Sequence, residues 1–479
     1  MSFFDHKTKI VCTIGPACEQ VDILESMIAA GMNVARLNFS HGEFSVHQRA
    51  VDNVRQAATN VGRRVAIMAD LPGPKMRIGK IANEPIELVK GEYLSLTSEE
   101  ILGDQARVSV SLPEITKVLN VKDRLFINDG LINLEVVEVS DTDVRCRILA
   151  GGELRSRKGL NFPGIDLGMQ AFTPYDQECL KAALTMGVDA VSQSFVATPE
   201  DVIAVRQAAQ ALGHTPFIIS KIERAEALNC IDEILEVSDG IMVARGDLGV
   251  EIPIERIAVV QKQLTEKANC LGKPVITATH MLDSMIDHKR PTRAEATDVA
   301  NAILDGTDCV MLSGESAMGN YPVEAVTMLA SIATATEPHR QNDSLIRKVR
   351  AYRHDDETNI VDLIALSVQR TLETIRPVAV VCPTRSGATA RNVARFRPAL
   401  SITAFTPNEA TCQLLQFSYG VNPILVEKEY GDWSEYTREW LAKQGITRGL
   451  AILTQGPAPE NPQGNHRMEI LELQQKNLS

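Results

Sequence analysis

The chain has 479 residues, 44% of them hydrophobic, which predicts two or three domains with a sizeable core. A net charge of −12 without a basic tract argues against nucleic acid or an anionic membrane as the main partner. Nine cysteines without a Cys-x-x-Cys pair, no signal-peptide segment and no apolar run of about 18 residues predict a reduced, soluble, cytoplasmic protein.

The first seventy residues alternate between short apolar runs and amphipathic runs, a pattern typical of strand–helix units. Strands are predicted over 9–15, up to the polar residues that begin at Arg36, and up to Asp70, with helices over 22–30 and 43–60. The pattern changes after Asp70. From about 72 to 164 there are only short alternating runs bounded by Gly, Asp and Asn, which predict a small all-β insertion.

The strand–helix alternation then resumes with five more strands, predicted over 190–195, 216–222, 240–246, 274–279 and 309–314. Eight units are the count of a TIM (β/α)8 barrel, interrupted after its third strand. A doubly wound open sheet is the alternative, but polar residues at every strand end favour the barrel. Its active site is expected at the carboxyl ends of the strands.

A polar stretch over 339–359 reads as a linker and the start of a new domain. Alternating helices and strands from Ile360 onward predict a separate C-terminal α/β domain. The predicted limits are 1–71 and 166–342 for the two parts of the barrel, 72–165 for the β lid, and 343–479 for the C-terminal domain.

The stretch from Pro216 to Glu251 carries the sharpest chemical signal. Two apolar runs deliver Lys221 with Glu223, and Arg245 with Asp247, each pair two residues apart. Because neighbouring parallel strands end at one face of a sheet, these four side chains are expected to converge. Two carboxylates suit a hard cation such as Mg2+, and a lysine neutralises phosphate. A salt-bridged sheet edge is the competing interpretation.

The predicted strand ends together offer cations, carboxylates and hydroxyls: Arg36, Asn38, Ser40, Asp70, Ser194, Phe195, Lys221, Glu223, Asp247, Thr279, Ser313 and Glu315. There is no P-loop, no GxGxxG fingerprint and no protein-kinase HRD/DFG pair. The spacing alone predicts a magnesium-dependent barrel enzyme that acts on a phosphate or a carboxylate.

Several segments resemble the pyruvate kinase family and recur in its order over about residues 7 to 325, among them TKIVCTIGPA, GMNVARLNFSHG, LPGPKMRIG, RKGLNFPG, SKIERAEAL, MVARGDLGVE, TATHMLDSM and the run from PTRAEATDVANAILDG to SGESAMGNYP. The C-terminal part follows the family layout with weaker motifs. The resemblance implies transfer of a phosphoryl group from phosphoenolpyruvate to ADP, giving pyruvate and ATP, the last step of glycolysis. It also implies a homotetramer.

The resemblance assigns roles to individual residues. Glu223 and Asp247 match ligands of Mg2+ or Mn2+, and Lys221 matches the lysine that neutralises the transferring phosphoryl group. Thr279 with the backbone at Gly246 and Asp247 matches the substrate-carboxylate site, and Arg36 matches the arginine on the substrate phosphate. The remaining matches are Asn38, His41, Arg77 and Lys158 near the nucleotide, Asn38, Ser40 and Asp70 for a monovalent cation, and Ser313 and Ser194 near the enolate. The β insertion would be a lid over the nucleotide.

Three features depart from the family or stay open. Lys75 stands where many members have a glutamate associated with K+ dependence; its ammonium could replace the K+ charge, which predicts K+-independence. His280 and Met318 replace a usual glutamine and lysine, and a packed or capping role is expected for His280. The turn with Thr384, Arg385, Ser386, Gly387 and Thr389 occupies the family's sugar-phosphate effector position, where a helix start can bind an anion.

Two alternative functions remain in view. A phosphoenolpyruvate lyase or mutase barrel would also use Mg2+ on strand-end carboxylates, but the β insertion and the Arg77/Lys158 pair favour a nucleotide lid. A non-catalytic effector-binding paralogue is disfavoured because Lys221, Glu223 and Asp247 are present.

Overall fold

The computed structural model describes residues 5–128, 130–165, 167–340, 360–428, 430–456 and 466–473. The polar stretch predicted as a linker falls mostly outside these residues, as does the predicted limit between barrel and C-terminal domain. No helix in the described part of the chain is long and apolar enough to cross a bilayer.

Eight parallel strands close into a barrel, which decides against the open-sheet alternative. In chain order, barrel strands 1 to 8 are Lys9–Thr13, Met32–Asn38, Ala66–Asp70, Ala190–Gln193, Phe217–Ile222, Gly240–Ala244, Val275–Ala278 and Cys309–Leu312. Strand 1 pairs with strand 8, for example Lys9 with Cys309, and this pairing closes the ring. All strand carboxyl ends therefore meet at one rim.

Helices surround the barrel, and side chains alternate between its interior and this outer layer. The eight main helices are Val21–Ala30, Phe44–Val61, Pro174–Thr185, Pro199–Ala211, Ile231–Val237, Ile257–Cys270, Arg293–Asp305 and Pro322–Thr336. In strand 3, Met68 packs inside the barrel, whereas Ile67 and Ala69 pack against the helices. Short helices Arg245–Glu251 and Gly314–Ala317 begin at the rim, directly after strands 6 and 8.

The insertion after strand 3 is an all-β unit with its own core. Its six-stranded sheet runs in the order Leu160–Asn161, Arg124–Ile127, Ile132–Val139, Asp143–Ala150, Tyr93–Thr97 and Arg107–Ser109. A two-stranded sheet of Ile86–Leu88 with Gly152–Leu154 and a short helix Ile115–Val118 complete it. The chain enters and leaves at one place, since Leu160 N donates to Met76 O at 3.0 Å.

The C-terminal domain is a five-stranded sheet in the order Val421–Leu425, Ile402–Thr406, Ala379–Pro383, Gly449–Gln455 and Arg467–Leu473. Only the last strand is antiparallel to its neighbour. The helices are Ile360–Thr374, Ala388–Ala394, Glu409–Leu414 and Trp433–Lys443. The predicted helix and strand order is therefore confirmed for the described part of this domain.

This domain covers the amino ends of the barrel strands, opposite the rim. Phe217, at the start of strand 5, stacks on Phe417 with 5.8 Å between ring centroids. Beside them Lys9 Nζ donates to Val421 O at 2.8 Å, and both partners are buried. An aromatic stack and a buried hydrogen bond beside it therefore join the two units.

Candidate active site

Arg36 and Asp70 form a buried ion pair at the rim, at the ends of strands 2 and 3. Arg36 Nε donates to Asp70 Oδ2 at 2.8 Å, and a second guanidinium nitrogen also contacts this oxygen. Arg36 Nη1 donates to Thr13 Oγ1 at 2.8 Å, and Ser192 Oγ donates to Asp70 Oδ1 at 2.7 Å. The guanidinium is thus held from two sides before any ligand arrives.

Lys221 is the central cation of the cluster. Its Nζ lies 3.5 Å from Asp70 Oδ1 and 3.3 Å from Glu223 Oε2, and it donates to Ser194 Oγ at 2.6 Å. Burial by itself lowers the pKa of Lys221, but Asp70 and Glu223 outweigh it and hold the pKa above its ordinary value. Burial likewise raises the pKa of Asp70, and Lys221 and Arg36 reverse that effect. Lys221 is therefore a permanent positive charge.

Glu223 has the chemistry of a metal ligand. It is 1% exposed, its Oε1 accepts from Phe195 N at 2.7 Å, and its buried Oε2 accepts no hydrogen bond among the described residues. Burial raises the pKa of Glu223 to about 6; Lys221 opposes this and Asp247 adds to it. This oxygen is shielded from water and is contacted by Lys221 Nζ at 3.3 Å without a hydrogen bond. A carboxylate oxygen in that position, near a second carboxylate, fits a divalent cation.

The prediction that four charged side chains converge at the rim is wrong for Arg245. Strand 6 ends at Ala244, and Arg245–Glu251 is a helix, so Arg245 and Asp247 do not alternate along a strand. Asp247 faces the site, 3.8 Å from Lys75 Nζ. Arg245 instead turns outward to Asp298 at 2.7 Å. Side chains two residues apart point the same way along a strand but to nearly opposite sides of a helix, which explains why Arg245 and Asp247 diverge.

The segment after strand 7 is strained. Thr279 has a φ of 74° and His280 a φ of 53°. A positive φ is uncommon for any residue other than glycine, and it is a clear outlier for the β-branched Thr279. Arg245 stabilises this turn, because its guanidinium donates to Thr279 O at 2.7 Å and to Ala278 O at 3.1 Å. A β-carbon at Gly246 would lie 2.6 Å from Thr279 Cγ2. Glycine is therefore required at 246 for this close approach.

His280 and Ser313 complete the rim after strands 7 and 8. His280 is exposed, so of the two expected roles the packed one is wrong, and the capping one stays a prediction. Met318 is also exposed. Ser313 is half-buried, and its backbone N donates to Glu315 Oε2 at 2.7 Å. The other oxygen of Glu315 accepts from Leu282 N at 3.1 Å. Glu315 is thus an internal brace between two rim segments.

The root of the insertion brings further cations to the same rim. Arg77 pairs with Gly159 in an antiparallel bridge, and Ile78 N donates to Lys158 O at 3.0 Å. His41, which follows the end of strand 2, is exposed. Partial desolvation of its imidazole lowers the pKa of His41, and Arg77, Lys75 and Arg36 lower it further. These cations therefore share one electrostatic environment, at the mouth between insertion and barrel.

The predicted monovalent-cation ligands lie at the ends of the paired strands 2 and 3, where Asn38 is opposite Asp70, and they are largely engaged with the protein. Asn38 Oδ1 accepts from Ser40 N at 3.2 Å. Both oxygens of Asp70 accept hydrogen bonds, from Ser192 and Arg36. Lys75 has a side chain 35% exposed, and its Nζ lies 3.8 Å from the carboxylate of Asp247.

The predicted effector turn is remote from the rim, and several of its polar groups are used internally. Gly387 N donates to Thr384 Oγ1 at 3.0 Å, and Ala388 N to Ser386 Oγ at 3.4 Å. Thr411 Oγ1 donates to Arg385 O at 2.5 Å. The following helix has only seven residues, and Ser386 is exposed at its start while Thr389 is half-buried.

The sequence interpretation missed the residues that position this site. Thr13 and Ser192 orient Arg36 and Asp70, and Arg245 supports the turn at Thr279. A hydroxyl at the end of each strand was a visible signal for the first two. No local pattern indicated that Arg245 would reach the backbone after the next strand.

A closed barrel with this rim belongs to the class of barrel enzymes that bind phosphorylated anions with a divalent metal. Residues 5–326 match the family model of the pyruvate kinase barrel domain, and residues 362–470 that of the pyruvate kinase alpha/beta domain. The chain belongs to the pyruvate kinase family. It is accordingly a phosphotransferase, and this membership implies phosphoenolpyruvate and ADP as substrates and a divalent metal as cofactor.

Relatives of similar length support this assignment. A pyruvate kinase of Thermococcus litoralis is 45% identical over 99% of this chain and 100% of its own. One from Clostridium acetobutylicum is 40% identical over 97% of this chain and 98% of its own. A crystal structure of a pyruvate kinase from Cryptosporidium parvum superposes with a TM-score of 0.90 at 35% identity, covering 98% of this chain and 96% of the other.

Proposed function

We propose that the rim cluster around Lys221 is where this chain moves the phosphoryl group of phosphoenolpyruvate to ADP. The observation that carries the proposal is the buried arrangement of Lys221 between Asp70 and Glu223, with Arg36 beside it. Two fixed cations in a net-acidic protein allow a phosphorylated anion to enter a site that would otherwise repel it. Charge that develops on the transferring group meets preorganised donors rather than water.

The other rim residues take separate parts in this proposal. Arg36 holds the substrate phosphate with its planar guanidinium. The backbone at Gly246 and Asp247 and the hydroxyl of Thr279 receive the substrate carboxylate. Ser313 offers a hydroxyl toward the enolate that remains after transfer.

Glu223 and Asp247 would hold the divalent cation, Mg2+ or Mn2+. When bound, the cation supplies positive charge that polarises the phosphoryl oxygens. The Oε2 of Glu223 supports this assignment, because among the described residues it accepts no hydrogen bond and has only the ion-pair contact with Lys221. Lys75 Nζ lies 3.8 Å from Asp247 Oδ1, and its flexible side chain would move aside when Asp247 binds the cation.

The nucleotide would lie between the barrel and the insertion, near Asn38, His41, Arg77 and Lys158. The lowered pKa of His41 keeps its imidazole neutral near neutral pH, because burial and the nearby cations disfavour its charged form. A neutral ring can accept or donate a hydrogen bond without adding positive charge. Closure of the insertion, residues 72–165, would exclude water during transfer.

We infer that turnover does not require K+. In this proposal Asn38, Ser40 and Asp70 are remnants of the monovalent-cation site, and the ammonium of Lys75 supplies the charge. The hydrogen bonds that both oxygens of Asp70 accept support this reading, because they leave that carboxylate engaged within the protein.

We also propose a sugar phosphate as an activator at the turn with Thr384, Arg385, Ser386, Gly387 and Thr389. The exposure of Ser386 supports access. Because the amides at 387 and 388 already have partners, the turn must open those bonds to bind an anion. Activation is tested by titrating sugar phosphates against the phosphoenolpyruvate saturation curve; an unchanged curve rejects it. We propose in addition that the protein is cytoplasmic and forms a homotetramer. Analytical sedimentation tests the tetramer.

The deciding experiment measures pyruvate formation from phosphoenolpyruvate and ADP with Mg2+, in KCl or in a larger inert cation. Equal rates support both the reaction and the role of Lys75, whereas a rate seen only with K+ rejects the role of Lys75 alone. Lys75→Glu is then expected to create K+ dependence. Lys80→Glu is the matched control, because Lys80 is also an exposed lysine at the root of the insertion. No rate in either salt, with folded protein and candidate activators, rejects the assigned reaction.

A further inference from the structure

Two short segments join the insertion to the barrel: an outgoing strap, residues 71–75, and a returning strap, residues 171–173. The outgoing strap begins where strand 3 ends at Asp70. The returning strap ends at Thr173, the N-cap of the helix Pro174–Thr185. Because the chain passes between the two units only along these straps, any closing motion of the insertion must act through them.

Strand 4 holds the barrel end of each strap. Leu71 N donates to Ser192 O at 2.9 Å, and Leu71 O accepts from Ser194 Oγ at 2.6 Å. Ala171 O accepts from Nε2 of Gln193, a fully buried residue, at 2.8 Å. Both straps are therefore attached to one barrel strand before they continue toward the insertion.

Asp176 then connects the two straps to each other. Its side chain is buried, with 0% exposure, in the first turn of the helix Pro174–Thr185. Its Oδ1 accepts from Gly73 N of the outgoing strap at 2.9 Å. Its Oδ2 accepts from Thr173 N at 2.8 Å and from Thr173 Oγ1 at 2.6 Å, in the returning strap. One buried carboxylate thus accepts three hydrogen bonds from two segments that are distant in the chain.

The hydrogen bond to Gly73 is not part of the helix cap. A capping box accounts for the contacts between Thr173 and Asp176. Gly73 lies on the other strap and has a φ of 65°, in the left-handed region that favours glycine. A β-carbon there would lie 2.7 Å from Phe195 Cδ2, so the strap passes close to the barrel at this point. The Oδ1 contact of Asp176 therefore has a role other than helix capping.

We propose that Asp176 is a positioning residue for phosphoryl transfer, which fixes the hinge on which the insertion closes over the nucleotide. Lys75 N donates to Gly73 O at 2.9 Å, so the turn that Asp176 holds also sets where Lys75 approaches the rim. Arg77 follows two residues later. The inference rests on the proposed nucleotide site between the barrel and the insertion.

A fixed hinge raises the fraction of molecules whose insertion is placed to bind the nucleotide. The apparent dissociation constant equals the intrinsic constant divided by that fraction. Loss of one hydrogen bond to a charged group changes such an equilibrium by about tenfold or more. Phosphoenolpyruvate would contact Arg36 and Lys221 on the barrel, so its binding does not depend on the hinge. The expected signature is a raised KM for ADP with turnover at saturation nearly unchanged.

The test compares Asp176→Asn with Thr173→Ala in the full-length protein. Asparagine keeps the volume but replaces one acceptor oxygen by an N–H donor. Because Thr173 presents two donors and Gly73 one, the amide nitrogen should face Gly73 and break that contact. Thr173→Ala removes the capping hydroxyl and leaves the contact with Gly73 in place.

Both variants should lower the melting temperature, because both weaken the cap. The KM for ADP should rise about tenfold in Asp176→Asn and stay within about twofold in Thr173→Ala. The KM for phosphoenolpyruvate and the turnover number should stay within about threefold in both. A purely structural role of Asp176 would not separate the two KM values.

Hydrogen–deuterium exchange of the outgoing strap measures the hinge without substrate. Pro72 and Pro74 have no N–H, so Gly73 carries the only backbone amide hydrogen between Leu71 and Lys75. Asp176→Asn should accelerate its exchange at least about tenfold, and Thr173→Ala should leave it unchanged.

A second variant tests the same hinge if Asp176→Asn does not fold. Gly73→Ala loosens the outgoing strap from the opposite side, since its methyl group meets Phe195, and it leaves the helix cap intact. It should raise the KM for ADP in the same way as Asp176→Asn.

Equal KM values for ADP in Asp176→Asn and Thr173→Ala would overturn the inference, as would unchanged exchange at Gly73 in Asp176→Asn. Arg77→Gln distinguishes this failure from that of the nucleotide site. A raised KM for ADP in Arg77→Gln, with none in Asp176→Asn, rejects the hinge alone. An unchanged KM in Arg77→Gln rejects the proposed nucleotide site and the role of Asp176 with it.

Discussion

Replacing Lys221 with methionine removes one positive charge from the rim and retains a side chain of similar length. Lys221 is the only cation within 4 Å of both Asp70 and Glu223 among the described residues. Loss of one preorganised charge at a reacting group costs about 2.7–4 kcal/mol of transition-state stabilisation. We therefore expect turnover to fall at least about a hundredfold, and up to about a thousandfold.

The fold is expected to survive this change, because the remaining carboxylates keep partners. Asp70 retains Arg36 and Ser192, and Glu223 retains the amide of Phe195. Glu223 can also take up a proton, since its pKa already stands at about 6. At pH 7 the further cost of protonating it is at most about 1.4 kcal/mol, one pH unit above that pKa.

The assay is steady-state pyruvate formation, with circular dichroism and thermal melting as measures of folding. Lys262→Met is the matched control: it removes a lysine that pairs with Asp305 on the outside of the barrel. Its turnover should stay within about twofold of the unmodified protein, as for a surface ion pair. Turnover of Lys221→Met that is also within this range would refute the assignment of the rim as the catalytic site.

Two further substitutions test the rim and the helix that follows strand 6. Gly246→Ala places a methyl group 2.6 Å from Thr279 Cγ2. It should raise the KM for phosphoenolpyruvate by about tenfold with little change in melting temperature. Gly431→Ala is the control, because a β-carbon there meets nothing within 4 Å, and it should change neither quantity; equal KM values in the two variants would contradict the crowding argument. Burial, with Glu226 adding to it, raises the pKa of Glu251 to about 7, so the folded protein keeps a proton that the unfolded chain loses above its ordinary pKa, and stability falls as pH rises toward 7. Glu251→Gln should therefore raise the free energy of unfolding at pH 8 by about 1–2 kcal/mol, after allowance for partial exposure, and by much less at pH 5. Thermal melting at the two pH values measures this, and the exposed Glu255→Gln is the control. An equal gain at both pH values would argue against a raised pKa of Glu251.

The barrel was predictable because each strand is a compact apolar run and each run ends in polar residues. Strand 3, for example, was expected to end at Asp70 and does. The clustering of Lys221, Asp70 and Glu223 follows from the same rule, since parallel strand ends share a rim. Periodicity and topology are enough for this level of prediction.

The remaining details depend on contacts between segments that are distant in the chain. Arg245 points outward because a helix begins there, and its partner Asp298 lies on another helix. The left-handed backbone of Thr279 and His280 is likewise invisible in their residue types, since neither is glycine. The buried hydrogen bond from Lys9 Nζ to Val421 O likewise becomes evident only when the two domains are placed together.

The position of the insertion has a consequence for how the barrel folds. Asp70 and Ser192 make a buried hydrogen bond across strands 3 and 4, although they are 122 positions apart. Closing so long a loop costs about 2 kcal/mol more entropy than closing one of about ten residues. The insertion has a separate core, and its two ends meet where Leu160 N donates to Met76 O. An insertion that has already folded brings its two ends together and so shortens the loop between strands 3 and 4. The barrel is therefore expected to close at a lower entropic cost once the insertion has formed.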